Sequence, residues 1–375
     1  MGPLAGVRVV EIKGIGPGPY AGMLLADMGA DVIVVERATA SASIGLPASR
    51  DIHGRGKRSI ALDLKHPQGL AALLRLVGRA ELLLEGFRPG VAERLGFGPD
   101  DCLSRNPALV YGRVTGWGQH GPLAGVAGHD INYISITGVL AAIGAAERPA
   151  PPLNLVGDYA GGSLFVVIGM LAALLEARAS GSGQVVDAAI TDGSASLMSV
   201  VHGLAALGHW QASRRANLLD GGAPNYDVYE TRDGRFVSVG ALEPAFFALL
   251  RERIGLADTG QAAEPAPADT KARLAALFRT RTQREWCELL SGSDACVAPV
   301  LDYTEAPQHP HNRARHTYID VAGVTQPAPA PRFSRSVSDA PQAPHAAGAD
   351  ADAILQQAGM SAAEIGELRR CGALG

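Results

Sequence analysis

Two residues with different acid–base chemistry, His129 and Asp158, carry the strongest chemical signal in the sequence. His129 lies in the segment Gly128-His129-Asp130, and Asp158 follows about one helix length later, at the start of a long apolar run. A histidine and a carboxylate that face one carbon atom from opposite sides can move a proton between its two faces, as a racemase or epimerase requires. The alternative is a loop turn at His129 and a helix-capping Asp158, and spacing alone leaves both interpretations open.

Length and composition describe an ordinary globular protein with room for two structural units. The 375 residues are 47% hydrophobic and 19% charged, and the formal net charge is −4. This charge argues against broad nucleic-acid binding and against binding to anionic membranes, although local basic patches remain compatible with it. The longest apolar run, Leu164–Leu175, is shorter than a membrane span, so we expect a buried helix there.

The first residues and the cysteines favour a cytoplasmic protein. Val7–Ile12 is a short apolar strand followed at once by glycine and proline, unlike a secretory signal. The four cysteines lie far apart without a CxxC pair. We therefore expect reduced thiols and no metal site at Cys102, Cys287, Cys296 and Cys371.

Short apolar strands alternate with helices over residues 1–215. Strands are expected at Val7–Ile12, Asp31–Glu36, Glu81–Glu85, Ala108–Val114 and Gln184–Ala189. Helices are expected at Gly18–Gly29, Gln68–Gly78, after Asp158 to about Arg178, and at Gly193–Trp210. This alternation predicts a large α/β domain with a doubly wound, Rossmann-like parallel sheet.

The pattern changes after residue 215. Tyr226–Thr231 and Arg235–Gly240, joined by a turn, predict a β-hairpin. Three helices are expected next, at Pro244–Ile254, Thr270–Arg279 and Gln283–Leu290. We therefore predict a smaller α+β domain over residues 216–325, with residues 326–375 completing the large domain. Within that last segment, Gln326–Ala347 is rich in proline and alanine and is expected to be extended, and a capped final helix is expected after Ser361.

The turn Gly14–Pro19 after the first strand has some features of a dinucleotide-binding loop, and Glu36 ends the second strand, where a ribose-binding acid is expected. Pro17 and Pro19 contradict that interpretation, because proline has no N–H to donate to a pyrophosphate. We therefore expect a rigid pocket wall at this turn and no NAD site.

Basic residues follow several predicted strands. Arg37 comes after the second strand, Arg88 and Arg94 come after the strand Glu81–Glu85, and the basic segment Gly54–Arg58 precedes Leu62–Lys65. The carboxyl ends of strands form the ligand side of such a sheet, and guanidinium groups suit bidentate contacts with phosphate. The pattern indicates either an anionic, phosphorylated ligand or solvated surface charge.

Taken together, these segments resemble the family III CoA-transferase superfamily, and within it the branch of α-methylacyl-CoA racemases. The resemblance runs through nearly the whole chain. The matching segments include Gly16-Pro17-Gly18-Pro19, Gly54-Arg55-Gly56-Lys57-Arg58, Leu62-Asp63-Leu64-Lys65, Thr115-Gly116-Trp117-Gly118-Gln119, Gly128-His129-Asp130-Ile131-Asn132-Tyr133, Leu153-Asn154-Leu155, Asp220-Gly221-Gly222-Ala223-Pro224, Gly240-Ala241-Leu242-Glu243-Pro244 and Asp294-Ala295-Cys296-Val297.

The resemblance implies roles for particular residues. His129 and Asp158 would be the acid–base pair, Glu243 would hydrogen-bond His129, and Asp130 would support Asp158. Contacts with the CoA part of the substrate would come from Arg37, Leu62, Asp63, Leu64, Lys65, Arg88, Arg94, Gly128, Ile131, Asn132 and Tyr133. It also implies an interlocked homodimer, in which Glu243 reaches the site of the other subunit, and no cofactor other than the CoA of the substrate itself.

The implied reaction is racemisation of 2-methylacyl-CoA thioesters by 1,1-proton transfer through an enolate. The alternative within the same fold is CoA transfer between carboxylic acids with Asp158 as nucleophile. A positioned base contributes about 10²–10⁴-fold, so racemisation also needs donors at the thioester oxygen. We expect Asp158 to stand just before a helix whose first-turn amides supply those donors.

Overall fold

The computed structural model describes residues 1–37, 47–256 and 266–375, which form two compact units. The first contains residues 1–137, 152–197 and 316–375, and the second contains residues 138–151 and 198–315. These boundaries differ from the expected ones, because residues 138–151 and 198–215 belong to the second unit and residues 316–325 to the first. Arg214 explains part of the difference: its guanidinium donates to the carbonyls of Ala141, Ala145 and Ala146 and so ties the two segments together.

Six parallel strands form the sheet of the first unit, in the order β3-β2-β1-β4-β5-β6. They are β1 (Arg8–Ile12), β2 (Asp31–Glu36), β3 (Arg58–Ala61), β4 (Leu82–Glu85), β5 (Val110–Thr115) and β6 (Val185–Ala189). The order reverses between β1 and β4, so the sheet is doubly wound and its ligand crevice is expected at that point. The predicted α/β fold class is confirmed. The segment Leu62–Lys65 directly follows β3 and does not extend it.

Helices cover the sheet and build the second unit. Within the described residues they are α1 (Pro17–Asp27), α2 (Pro67–Val77), α3 (Val91–Leu95), α4 (Pro99–Arg105), α5 (Asp130–Ser135), α6 (Val139–Ala142), α7 (Phe165–Ser180), α8 (Ile190–Leu197), α9 (Ser199–Ala206), α10 (Pro244–Arg253), α11 (Pro267–Phe278), α12 (Gln283–Leu290), α13 (Pro310–Ala314), α14 (Ala351–Gln357) and α15 (Ala362–Arg370). The single helix expected at Gly193–Trp210 is wrong, since α8 begins earlier and a break at Met198 separates it from α9.

Both faces of the sheet are buried, because successive strand residues point to opposite sides. Val10 pairs with Ile33 and Leu83 and points into a core that includes residues of α2, α14 and α15. Its neighbour Val9 points into the opposite core, where residues of α1 and α7 pack against Leu82 and other strand residues. The short strands are therefore apolar at nearly every position, as two-sided burial requires.

The helix that carries Asp158 is longer than its apolar run predicts. The π-helix Leu155–Leu164 continues into α7, and together they span 26 residues with a mean hydropathy of 1.9 in the most apolar window. By length and composition this helix could cross a membrane, but half of that window is buried inside the molecule. A core helix has the same properties, and Val166 and Met170 pack against the sheet in the second of the two cores.

The second unit contains the predicted hairpin and one strand that we did not predict. β7 (Tyr226–Glu230) pairs antiparallel with β8 (Phe236–Gly240), and β9 (Val297–Pro299) pairs with the other edge of β8. The three predicted helices are present as α10, α11 and α12, and they enclose a core around Phe278 and Trp286.

A second hairpin, which we did not predict either, belongs to the first unit. It comprises β10 (Tyr318–Val321) and β11 (Val324–Pro327). The expected extended segment therefore begins inside β11 and continues without regular structure to the turn before α14.

Candidate functional site

The candidate site lies at the carboxyl edge of the parallel sheet, where the segments that follow neighbouring strands meet. The turn Gly14–Pro19 follows β1, and the loop that carries His129 follows β5. His129 is the residue before α5, and Asp158 lies in the π-helix that leads into α7. All these segments belong to the first unit.

The Asp130 carboxylate joins the two segments that carry the candidate bases. Its Oδ1 accepts a hydrogen bond from the Asp158 amide at 2.6 Å, and it also accepts from the Gly157 amide. A Cβ atom at Gly157 would lie 2.3 Å from the same oxygen, so only glycine fits this approach. Asp130 is 6% exposed, and among the described residues its second oxygen has no hydrogen-bond partner.

Burial and the neighbouring carboxylate set the charge of Asp158. Burial raises its pKa, the negative charge of Asp130 raises it further, and the pKa reaches about 6. Asn154, whose Nδ2 lies 3.4 Å from Asp158 Oδ2, and His129 act in the opposite direction. Burial also raises the pKa of Asp130, and its amide hydrogen bonds counteract that effect. A carboxyl group with this pKa exists in both protonation states near neutral pH, so it can take up and return a proton.

The turn Gly14–Pro19 forms a wall beside Asp158. Gly16 has φ 71°, and a Cβ atom there would lie 3.1 Å from Asp158 Oδ2. The buried Ser163 Oγ lies 2.8 Å from the Pro17 carbonyl and 3.1 Å from the Asp158 carbonyl, so its single proton joins the turn to the helix. This placement agrees with the interpretation of the turn as a pocket wall.

The segment around His129 is held by its own side chains. The His129 amide donates to Asn132 Oδ1 at 3.1 Å, and the Tyr133 hydroxyl donates to the Gly128 carbonyl. The Tyr133 ring packs edge-on against Trp117 and fills the space in which a Cβ atom at Gly128 would lie. Three of the four expected CoA contacts in this segment therefore fix the loop, and Ile131, which is 40% exposed, presents its side chain to solvent.

Four expected basic contacts follow strands at this edge. Arg37 follows β2, Lys65 follows β3, and Arg88 and Arg94 follow β4; all four are exposed, and none has an ion pair within the part of the chain that the structure describes. Leu62, by contrast, is 1% exposed in the core, so its side chain is closed to a ligand.

The neighbouring residues Asp63 and Leu64 shape the turn after β3. Asp63 accepts a hydrogen bond from the Lys65 amide, and Leu64 packs against the core from the half-buried turn. Leu64 therefore contributes to the core, whereas the Asp63 carboxylate is exposed at the turn.

The basic segment Gly54–Arg58 is not a phosphate cluster, contrary to one of the interpretations above. Arg55 forms a bidentate pair with Asp27, and the buried Lys57 pairs with Glu11 at 2.6 Å. Arg58 pairs with Asp31 at the amino end of β2. These cations are neutralised by carboxylates, and two of them are almost fully buried, so they fix the fold rather than bind an anion.

The expectation that Asp158 stands just before a helix is wrong, because Asp158 lies in the first turn of the π-helix Leu155–Leu164. Its own amide is bound to the Asp130 carboxylate. The donors expected at the thioester oxygen from the first turn of that helix stay a prediction.

Glu243 lies in the second unit, directly before α10. Its side chain is exposed. Burial raises the pKa of the Cys296 thiol, and the negative charge of Glu243 adds to that effect. Its expected hydrogen bond to His129 stays a prediction.

The sequence interpretation missed Asn154 and Ser163, which hold Asp158 in place. Asn154 precedes Asp158 by four residues, a spacing that places both on one face of a helix and that offered a usable signal. Ser163 gave no such signal, because its acceptors are carbonyl groups in two different segments. Within the described ranges, no group of three or more His, Cys, Asp or Glu side chains is arranged to hold a metal ion.

Comparisons with known proteins cover nearly the whole chain. The family model for CoA-transferase family III matches residues 4–350. The chain is 45% identical to α-methylacyl-CoA racemase of Mus musculus over 97% of this chain and 96% of the relative, and 42% identical to that of Homo sapiens over the same shares. A CAIB/BAIF family protein from Brucella suis superposes with a TM-score of 0.80 at 26% identity, covering 95% of this chain and 99% of that one. The chain therefore belongs to CoA-transferase family III.

Proposed function

We propose that this protein interconverts the two configurations of 2-methylacyl-CoA thioesters by moving the α-proton from one face of the carbon to the other. Similarity to two α-methylacyl-CoA racemases over almost the full chain supports this reaction. The observation that carries the mechanism is the Asp158 carboxyl group, whose pKa is about 6 and whose amide is fixed to Asp130, the residue next to His129. Such a group is suited to both halves of a reversible proton transfer.

The two bases have complementary tasks in this proposal. Ionised Asp158 removes the α-proton of one configuration, and protonated His129 delivers a proton to the opposite face. For the other configuration, neutral His129 is the base and protonated Asp158 is the acid. Both directions start from enzyme that holds one proton on the pair, so a carboxyl pKa raised toward that of histidine keeps both forms populated.

CoA transfer is the competing reaction within the family. There the Asp158 carboxylate would attack the thioester carbonyl and form an acyl anhydride. With a pKa of about 6 the Asp158 carboxyl group is mostly ionised at pH 7, so its acidity is compatible with both reactions. A second base, His129, and the similarity to two racemases favour racemisation, because CoA transfer needs only the nucleophile.

Exchange with solvent separates the two reactions. A single-configuration 2-methylacyl-CoA in D₂O, with this protein and no acceptor acid, should gain deuterium at the α-carbon and lose optical purity, as NMR and chiral analysis of the acid can show. Asp158→Asn is the matched control and should stop the racemisation. A thioester that stays unlabelled until a second carboxylic acid is added, and then passes its CoA to that acid, would make the protein a transferase.

The pH dependence of exchange should report the charge of Asp130. In a His129→Ala background Asp158 is the remaining base, and it must be ionised, so exchange should rise with pH through its pKa of about 6 or slightly above, since His129 lowers that pKa. Adding Asp130→Asn keeps an acceptor for the Asp158 amide but removes a negative charge that raises the pKa. The rise should therefore move to lower pH.

Asp31→Asn, at the amino end of β2, is the control for this comparison because it changes a carboxylate far along the strand from the site. It should leave the midpoint of the rise in place. An unchanged or higher midpoint in the Asp130→Asn variant would contradict the claim that the charge of Asp130 raises the pKa of Asp158.

We also propose that Glu243 of a second copy orients His129 in a homodimer. The resemblance supports this role, and Glu243 is exposed and directly precedes α10. Mixing His129→Ala and Glu243→Gln proteins, with unfolding and reassembly, should restore about a quarter of the activity, because half of the dimers regain one of two sites. Absence of recovery, with heterodimers verified by mass, would contradict a site shared between subunits.

A further inference from the structure

An ion-pair network joins the carboxyl end of β4, β5 and α3. Arg113, on β5, donates from Nε to Glu85 Oε1 at 2.9 Å and from Nη1 to Glu93 Oε1 at 2.8 Å. The side chain of Glu85 is fully buried at the end of β4, and that of Arg113 is 7% exposed. Glu93 lies in α3, so one guanidinium ties both ends of residues 85–93 to the neighbouring strand.

The network also determines the path of the turn between its two ends. The second Glu85 oxygen accepts the Phe87 amide at 2.6 Å, and the Val91 amide donates to the Arg88 carbonyl at 3.1 Å. Gly90 adopts φ 80°, which lets the chain reverse directly before α3. Glu85 therefore fixes the backbone directly before Arg88, and a hydrogen bond within the turn fixes it on the other side.

Arg88 itself is not a partner in these ion pairs. Its side chain is exposed, and it has no ion pair within the described ranges. Burial and then the charge of Asp158 raise the pKa of Tyr133, whereas the charge of Arg88 opposes them. Arg88 is thus an unpaired cation that follows β4 and acts electrostatically on Tyr133, a residue of the segment that carries His129.

A buried network of this kind is weak evidence for stability, because its charges lose their contact with water. Burial raises the pKa of Glu85, and the hydrogen bond from the Phe87 amide and the charge of Arg113 oppose that effect. An apolar side chain of similar volume is often as stable as a buried ion pair or more so. An apolar replacement of Glu85 would lack the oxygen that accepts the Phe87 amide. An apolar replacement of Arg113 would lack the guanidinium group that donates to both Glu85 and Glu93.

We propose that Arg113 and Glu85 are positioning residues that hold Arg88 for the phosphate groups of CoA. This inference rests on the proposed function, since it takes the substrate to be a CoA thioester. Neither residue touches the substrate in this proposal. They act through the backbone of the turn, so their loss should weaken phosphate recognition and leave proton transfer at the α-carbon nearly unchanged.

A pair of substrates with and without the nucleotide tests the proposal. Arg88→Ala should raise KM for the 2-methylacyl-CoA thioester about tenfold, as expected for one charge-assisted phosphate contact, and should not change kcat/KM for the matching pantetheine thioester. Arg113→Gln should give the same selective loss, about three- to tenfold, with little change in kcat. Arg113→Lys keeps the charge without the fork and should fall between Gln and the original residue.

Arg58→Gln is the matched control. It removes another bidentate arginine–carboxylate pair, with Asp31, at the amino end of β2 and β3. It should lower the melting temperature without separating the two substrates. An equal loss of kcat/KM on both thioesters in Arg113→Gln, or the same selectivity in Arg58→Gln, would make the network merely structural and overturn the proposal.

Two further measurements keep the test decisive. If Arg113→Gln does not fold, Glu93→Gln removes only the outer, 44% exposed half of the network and should show the same selectivity with a smaller loss. If the original protein exchanges no α-proton, the proposed function fails, and calorimetric binding of CoA against pantetheine still tests the positioning. A network variant that binds both as tightly as the original protein would contradict it.

Discussion

The Asp130 carboxylate is the interaction on which the site depends. It follows His129 directly and binds the amides of Gly157 and Asp158, so one side chain sets the relative position of two segments that are distant in sequence. The same carboxylate places a buried negative charge beside Asp158. Burial is the largest cause that raises the pKa of Asp158 to about 6, and the charge of Asp130 is the second. Geometry and acidity therefore have a common origin, and a change at Asp130 alters both.

Buried ion pairs hold both ends of α1, the helix that begins at the turn beside Asp158. Lys57 donates to Glu11 on β1 and to the Pro19 carbonyl in the first turn of α1, which fixes the turn that stands against Asp158. Arg55 holds Asp27 at the other end of α1 and reaches Gln326 in the returning C-terminal segment. Breaking one such pair typically costs about 3–5 kcal/mol, because an uncompensated charge stays buried. Arg55 and Lys57 thus stabilise the fold through carboxylate partners, whereas Arg37 and Arg88 have no ion pair within the described residues.

The sequence predicted the fold class well and the use of individual charges poorly. Two-sided apolar strands and interleaved helices have a local pattern, so the doubly wound sheet was readable. Whether Arg55 faces solvent or Asp27 depends on residues 28 positions apart, and no local pattern contains that information. The hydrogen bond from the Asp158 amide to Asp130 was unreadable for the same reason, since the two residues are 28 positions apart in the chain. Residue chemistry pointed to His129 and Asp158, and the resemblance added Glu243, whereas the contacts of Arg113 emerged only from the structure.

The position of deuterium in single-base variants tests the two-base mechanism most directly. Each pure configuration of a 2-methylacyl-CoA is incubated in D₂O with His129→Ala or with Asp158→Asn, and α-deuterium and configuration are followed together. The account predicts no racemisation in either variant, yet His129→Ala should exchange the α-proton of one configuration and Asp158→Asn that of the other. Exchange of the same configuration by both variants, or undiminished racemisation by either, would contradict the assignment of one base to each face.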